Sequence, residues 1–126
     1  MDQAGVLVQF KDLGVAAALG LAATGSALGI GVAGMAAVGA WKKCYAQNRM
    51  APFLLIVFIG APLSQTIYGM ILMNKIAEVA AKGVFLSSVG IFGGAAIGMS
   101  AFYQGKIGAS GADALAETGK GFTNYL

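Results

Sequence analysis

Residues 13–41 contain no charged side chain, and neither do residues 50–74 or 83–104. Each run reaches the roughly 20 residues that an α-helix needs to cross the hydrocarbon core of a bilayer. Backbone N–H and C=O groups in lipid must be satisfied within the segment, which selects helices over loops or open strands. A helix in water keeps a polar face, and these runs leave little room for one. The whole chain agrees: it is 58% hydrophobic and 10% charged, with a mean hydropathy of +0.78. Such a chain has too few charges to cover a water-exposed surface. The expected fold class is therefore an all-α membrane protein with three spans, integral and multi-pass. The first run does not look like a cleaved leader. It is too long, and Asp2 and Asp12 stand where a leader would be basic.

The flanking charges predict an orientation. Lys42, Lys43 and Arg49 follow the first run with no acid nearby, whereas Lys75, Glu78 and Lys82 mix signs after the second. The bias of basic residues to the inner side places the first loop in the cytoplasm and the N-terminus outside. The formal net charge of +3 then reflects topology, and no nucleic-acid partner is expected. The single Cys44 excludes an internal disulfide and reads as a small loop residue on the reducing side. Trp41 and Tyr45 read as interfacial anchors.

Twenty glycines are the next signal. Gly25 and Gly29 are four apart, with Ala33 and Ala37 extending the row; Gly90, Gly94 and Gly98 make a second row. Rows of small residues let helix backbones approach closely in lipid. Gly14, Gly20, Gly31, Gly34 and Gly39 thin the other faces of the first run. This density favours a multi-helix ring or bundle over a single tight pair. The segment Ala18-Leu19-Gly20-Leu21-Ala22-Ala23-Thr24-Gly25 also matches Ile91-Phe92-Gly93-Gly94-Ala95-Ala96-Ile97-Gly98 at four small positions. That match fits a tandem hairpin repeat whose halves run in parallel. Residues 1–82 form the first hairpin in this reading, and residues 83–126 an incomplete second one whose last helix is missing.

Polar groups interrupt the second run: Ala61-Pro62-Leu63-Ser64-Gln65-Thr66-Ile67-Tyr68-Gly69. Ala61, Ser64, Gln65 and Tyr68 recur at helical spacing and predict one polar face. Polar groups at membrane depth are costly unless they meet a partner or an ion. Pro62 lacks an N–H and disturbs the local hydrogen-bond ladder. The third run ends at Tyr103-Gln104-Gly105-Lys106.

On these motifs the chain resembles the membrane rotor-ring proteolipid (subunit c or K) of V-type and archaeal-type rotary ATPases. The resemblance implies protomers of two hairpins that close into a ring. It also implies a stator membrane subunit and central-stalk subunits as partners, a lipid bilayer around the ring, and a cell-membrane location in a prokaryote. It further implies a Na+ (or H+) site with Ser64 as a hydroxyl ligand and Gln65 and Gln104 as side-chain carbonyl ligands. Ala61 would be a backbone carbonyl ligand, and Tyr68 the phenol that orients an essential carboxylate. Hard cations take oxygen ligands, which suits this set. The family's glutamate on a fourth helix has no counterpart among the five acids Asp2, Asp12, Glu78, Asp113 and Glu117. It is expected beyond Leu126, the alternative being a three-span variant to which another chain supplies the acid. Lys106 points to another face and is expected to contact a neighbour or a phospholipid. The chain is not expected to be an enzyme, because it has no histidine, no nucleophile–base pair and no nucleotide-binding loop. The alternative is a glycine-zipper membrane protein, pore-forming or structural, without a specific ion site.

Overall fold

A computed structural model describes residues 3–126, apart from the side chains of residues 7–12. Of the terminal acids named above, Asp2 and the side chain of Asp12 lie outside the described residues. No proline occurs before Pro52, and the first helix, α1, runs unbroken over Gln3–Ala46. Its 44 residues span about 66 Å at 1.5 Å per residue, roughly twice the hydrocarbon thickness. The two prolines punctuate the second arm of the chain. Leu55 N–H donates to the Pro52 carbonyl at 3.4 Å where α2 (Leu55–Gly60) begins. At Pro62 the ladder gives way to a 3₁₀ turn over Ala61–Leu63, because proline brings no donor and crowds the carbonyl four residues back. Then come α3 (Ser64–Ala81), α4 (Ser87–Thr118) and a single turn, α5 (Phe122–Tyr125). There is no strand among the described residues.

Two apolar stretches, Leu13–Ala46 and Leu55–Ala81, are long and apolar enough to cross a membrane. Only 28% and 22% of their most apolar windows are buried, whereas the core helix of a water-soluble protein would be mostly covered. Leu28, Met35, Val38, Ile67 and Ile71 are among the large apolar side chains left exposed. The third expected span forms a helix but does not reach the same apolarity. Glycine and serine contribute little hydropathy, and α4 carries both along with Gln104 and Lys106. The helix also runs to Thr118, well past Gln104, where the uncharged run stops.

By its contacts the chain divides into two compact units, each drawing on segments of α1, the α2–α3 arm and α4. These units cut across the hairpin boundary expected at residues 82 and 83, which falls in the turn where Gly83 has φ 86°.

The first unit comprises Met1–Gly25 and Ser64–Ser100. Here α1 and α4 run parallel with their backbones nearly touching. A Cβ on Gly14 would stand 2.8 Å from the Ser87 Cα, and one on Gly94 would stand 2.5 Å from the Ala17 carbonyl oxygen. Gly25 and Gly98 meet backbone to backbone. Gly25 and Gly98 are also one of the small-residue pairs that match between the two segments compared above. On another side of α1, Gly69 of α3 sits against Ala22 and the Ala18 carbonyl. Ala18 and Ala22 are fully buried.

The second unit comprises Ser26–Leu63 and Ala101–Leu126. Gly29 packs on Ala101, Gly105 and Pro62. Ala37, Ala40, Cys44, Leu55, Phe58, Ala112, Leu115 and Ala116 form its core. Phe58 fills the space that two glycines leave: a Cβ on Gly108 would stand 3.0 Å from its carbonyl oxygen, and one on Gly111 would stand 2.8 Å from its ring. The Phe122 ring meets Phe58 edge-on at 5.8 Å. Phe122–Tyr125 is a single helical turn, and both aromatic rings at its ends pack against this core.

Polar contacts fasten one end of this unit. Trp41 Nε1 donates to the Pro52 carbonyl at 2.8 Å. Arg49 Nη2 donates to the carbonyls of Ala116 and Glu117, at 2.9 and 2.8 Å, where α4 exposes its last unpaired acceptors. Lys43 pairs with Glu117. Asn48, at φ 52°, takes the left-handed turn that ends α1, and the Arg49 N–H returns to the Cys44 carbonyl at 2.9 Å. Cys44 corrects the reading of it as a loop residue. It lies in α1, is 2% exposed and belongs to the core. Tyr45, by contrast, is exposed.

Candidate cation-binding site

The 3₁₀ turn and the first turns of α3 carry four of the five predicted positions. Ala61 is half-buried within the 3₁₀ turn, beside the buried Pro62. A 3₁₀ turn pairs residues three apart rather than four, so the carbonyl pattern around Pro62 differs from that of the helices on either side. Ser64 and Gln65 open α3 and are half-buried. Their side chains meet directly: Ser64 Oγ donates to Gln65 Oε1 at 2.9 Å. Tyr68, one turn on, is 58% exposed. Ser64, Gln65 and Tyr68 belong to the first compact unit, and Ala61 and Gln104 to the second.

Gln104 lies in the interior of α4, not at a helix end. Its Oε1 is buried and accepts no hydrogen bond. A buried acceptor left unsatisfied costs about 1–3 kcal/mol, and a native chain rarely carries one without a reason. An oxygen-seeking cation is one such reason, so this orphaned carbonyl fits the predicted ligand role. Lys106 projects elsewhere: it is exposed, with its Nζ 5.5 Å from the ring centroids of both Phe102 and Tyr103.

The second unit holds one further orphan that the sequence did not single out. Ser26 is 2% exposed, and its Oγ is buried without a partner. Its only signal was a hydroxyl inside an uncharged run, and Thr24 gives the same signal two residues earlier. Thr24 turns out exposed, with its hydroxyl bonded to the Gly20 carbonyl at 2.8 Å.

The available donors are neutral oxygens. Among the described residues no group of three or more His, Cys, Asp or Glu side chains could hold a metal ion. Hydroxyl and amide oxygens suit a hard cation of low charge and do not suit zinc or a softer metal. Glu78, the acid within α3, is exposed and pairs with Lys75 at 3.0 Å and Lys82 at 3.6 Å. Comparison with protein families, with curated proteins and with solved structures finds no match for this chain.

Proposed function

We propose that the chain is a rotor-ring subunit of a V/A-type rotary ATPase: a multi-pass membrane protein that carries Na+ (or H+) as its ring turns. The observation that carries this reading is the buried, unpartnered Oε1 of Gln104. In the reading, Gln104 and Gln65 offer amide oxygens, Ser64 a hydroxyl and Ala61 a main-chain carbonyl. The hydrogen bond from Ser64 Oγ to Gln65 Oε1 would have to open for both oxygens to serve as ligands. The parallel, glycine-lined packing of α1 and α4 suits the inner wall of a ring. Tyr68, exposed on α3, is free to meet a carboxylate from outside the described residues. Such a carboxylate is required, because neutral ligands cannot alternate between charged and neutral states. A unit charge moving through the membrane potential exchanges about 2.3 kcal/mol per 100 mV.

The test is equilibrium binding of 22Na+ to the purified chain in detergent, with choline replacing sodium as control. Saturable binding that Gln104→Leu and Gln65→Ala abolish supports the reading; sodium-independent behaviour of the wild-type chain overturns its sodium-carrying form. The second reading is a glycine-packed structural membrane protein with no ion site. Ser64 and Gln65 satisfying each other favours it, and it expects both variants to leave the chain unaltered toward sodium.

A further inference from the structure

Four helical hydroxyls place the buried one in relief. Thr24 and Thr118 bond the carbonyl four residues back at 2.8 Å, and Ser110 does the same at 3.5 Å. That back-bond is the ordinary way for a mid-helix hydroxyl to satisfy itself where water is absent. All three of those residues are exposed, whereas Ser26, the most buried hydroxyl among them, makes no such bond. Its Oγ therefore bears the full desolvation penalty of an unmade hydrogen bond.

The position of Ser26 explains what it could serve. One turn further along α1, Gly29 packs on Ala101, on Gly105 and on Pro62. Gly105 adjoins Gln104 in sequence, Ala101 lies one turn before it, and Pro62 adjoins Ala61. Ser26, Ala61 and Gln104 all belong to the second compact unit, each within one turn of the Gly29 junction. Ser26 Oγ and Gln104 Oε1 are the only two buried side-chain oxygens without partners among the described residues, and they stand on residues one turn before Gly29 and next to Gly105, whose backbones meet.

We infer that Ser26 is a further oxygen ligand of the cation held by Gln104. The inference rests on the ion-carrying reading above and extends its ligand set to α1. A hydroxyl offers two lone pairs and one proton. On binding, a lone pair faces the cation and the proton turns to the carbonyl four residues back. Sodium accepts this ligand as it accepts the amide oxygen, since both are hard donors.

The experiment measures 22Na+ binding and thermal unfolding of the full chain in detergent, in sodium and in choline chloride. The variants are Ser26→Ala, Ser26→Thr, Ser26→Cys and Gln104→Leu. Ser26→Ala is expected to weaken sodium binding on the order of tenfold, and Ser26→Thr to retain it. Without sodium, Ser26→Ala is expected to be at least as stable as the wild type, because it removes an unsatisfied buried oxygen. That opposition of sign distinguishes a ligand from a packing residue. Ser26→Cys keeps the volume and replaces the hard oxygen, so it serves where alanine fails to fold, with the same loss expected. If Ser26→Ala or Ser26→Cys binds sodium like the wild type while Gln104→Leu does not, Ser26 is a bystander and the ion-carrying reading survives. If the wild type shows no sodium-specific binding, the Ser26 ligand falls together with the sodium-carrying form of that reading.

Discussion

A side chain added at Gly25 would have to displace the backbone of Gly98, which no rotamer change can relieve. Gly25→Ala is therefore expected to destabilise the chain by about 1–3 kcal/mol, the range for overpacking a tight contact. Gly20 and Gly31 meet nothing within 4 Å of a built Cβ. Alanine there should be neutral or stabilising by up to about 1 kcal/mol through helix propensity. Unfolding in a detergent titration checks the contrast. Asn48 offers a second test at this scale: with φ 52°, Asn48→Val should cost about 1–2 kcal/mol and Asn48→Gly very little. The sequence showed that glycines would allow close helix approach, but not which ones would do so. Gly20 and Gly25 sit in one apolar run with similar neighbours; only the direction each faces separates them. The same limit hid Ser26 behind Thr24. Gln104 was singled out by the resemblance that Tyr103-Gln104-Gly105-Lys106 carries, since hydropathy alone puts it at the end of an uncharged run, and its lack of a partner depends on packing.

Phe58 shows how a short element can hold a unit together. Six-residue α2 would not persist alone, since helix nucleation needs more bonds than it can make. Its Phe58 ring, packed on Gly108, Gly111 and Phe122, anchors it. Phe58→Ala should cost about 3–5 kcal/mol, read as a lower midpoint of thermal unfolding. The far end of α4 depends on charge instead. The hydrogen bond from Lys43, and then its positive charge, hold the Glu117 carboxyl below the usual carboxylate range. The stabilisation this pair gives is present above the ordinary carboxylate pKa and fades as pH falls through the lowered value. The wild type should therefore exceed Glu117→Gln in melting temperature near neutral pH, and the gap should close on acidification. Salt should narrow it too, because both side chains are open to solvent. The helices themselves were legible as uncharged runs and the break at Pro62 as a proline effect. The reach of α4 to Thr118 was not legible in hydropathy, which marks lipid-compatible stretches and not where helical hydrogen bonding ends; only the resemblance implied a helix continuing past Gln104. Residues after Gln104 are rich in alanine and keep the helix going with less apolarity.

For the whole molecule, the exposed glycines of α1 separate folding from assembly. Gly31→Leu meets no obstacle within the chain, so it should fold as well as the wild type. Under the ring reading it should nevertheless fail to assemble, and particle images in detergent would show single chains in place of closed rings. Rings formed by Gly31→Leu would mean that this face of α1 is not a contact between protomers. The parallel seam from Gly14–Ser87 to Gly25–Gly98 has a mechanical side as well. Interfaces built from long side chains can yield, because their rotamers offer many alternative fits. A seam of backbone against backbone has no such slack. In the first unit, α1 and α4 should therefore behave as one stiff strut, passing a push or a twist on either helix to the other with little lag.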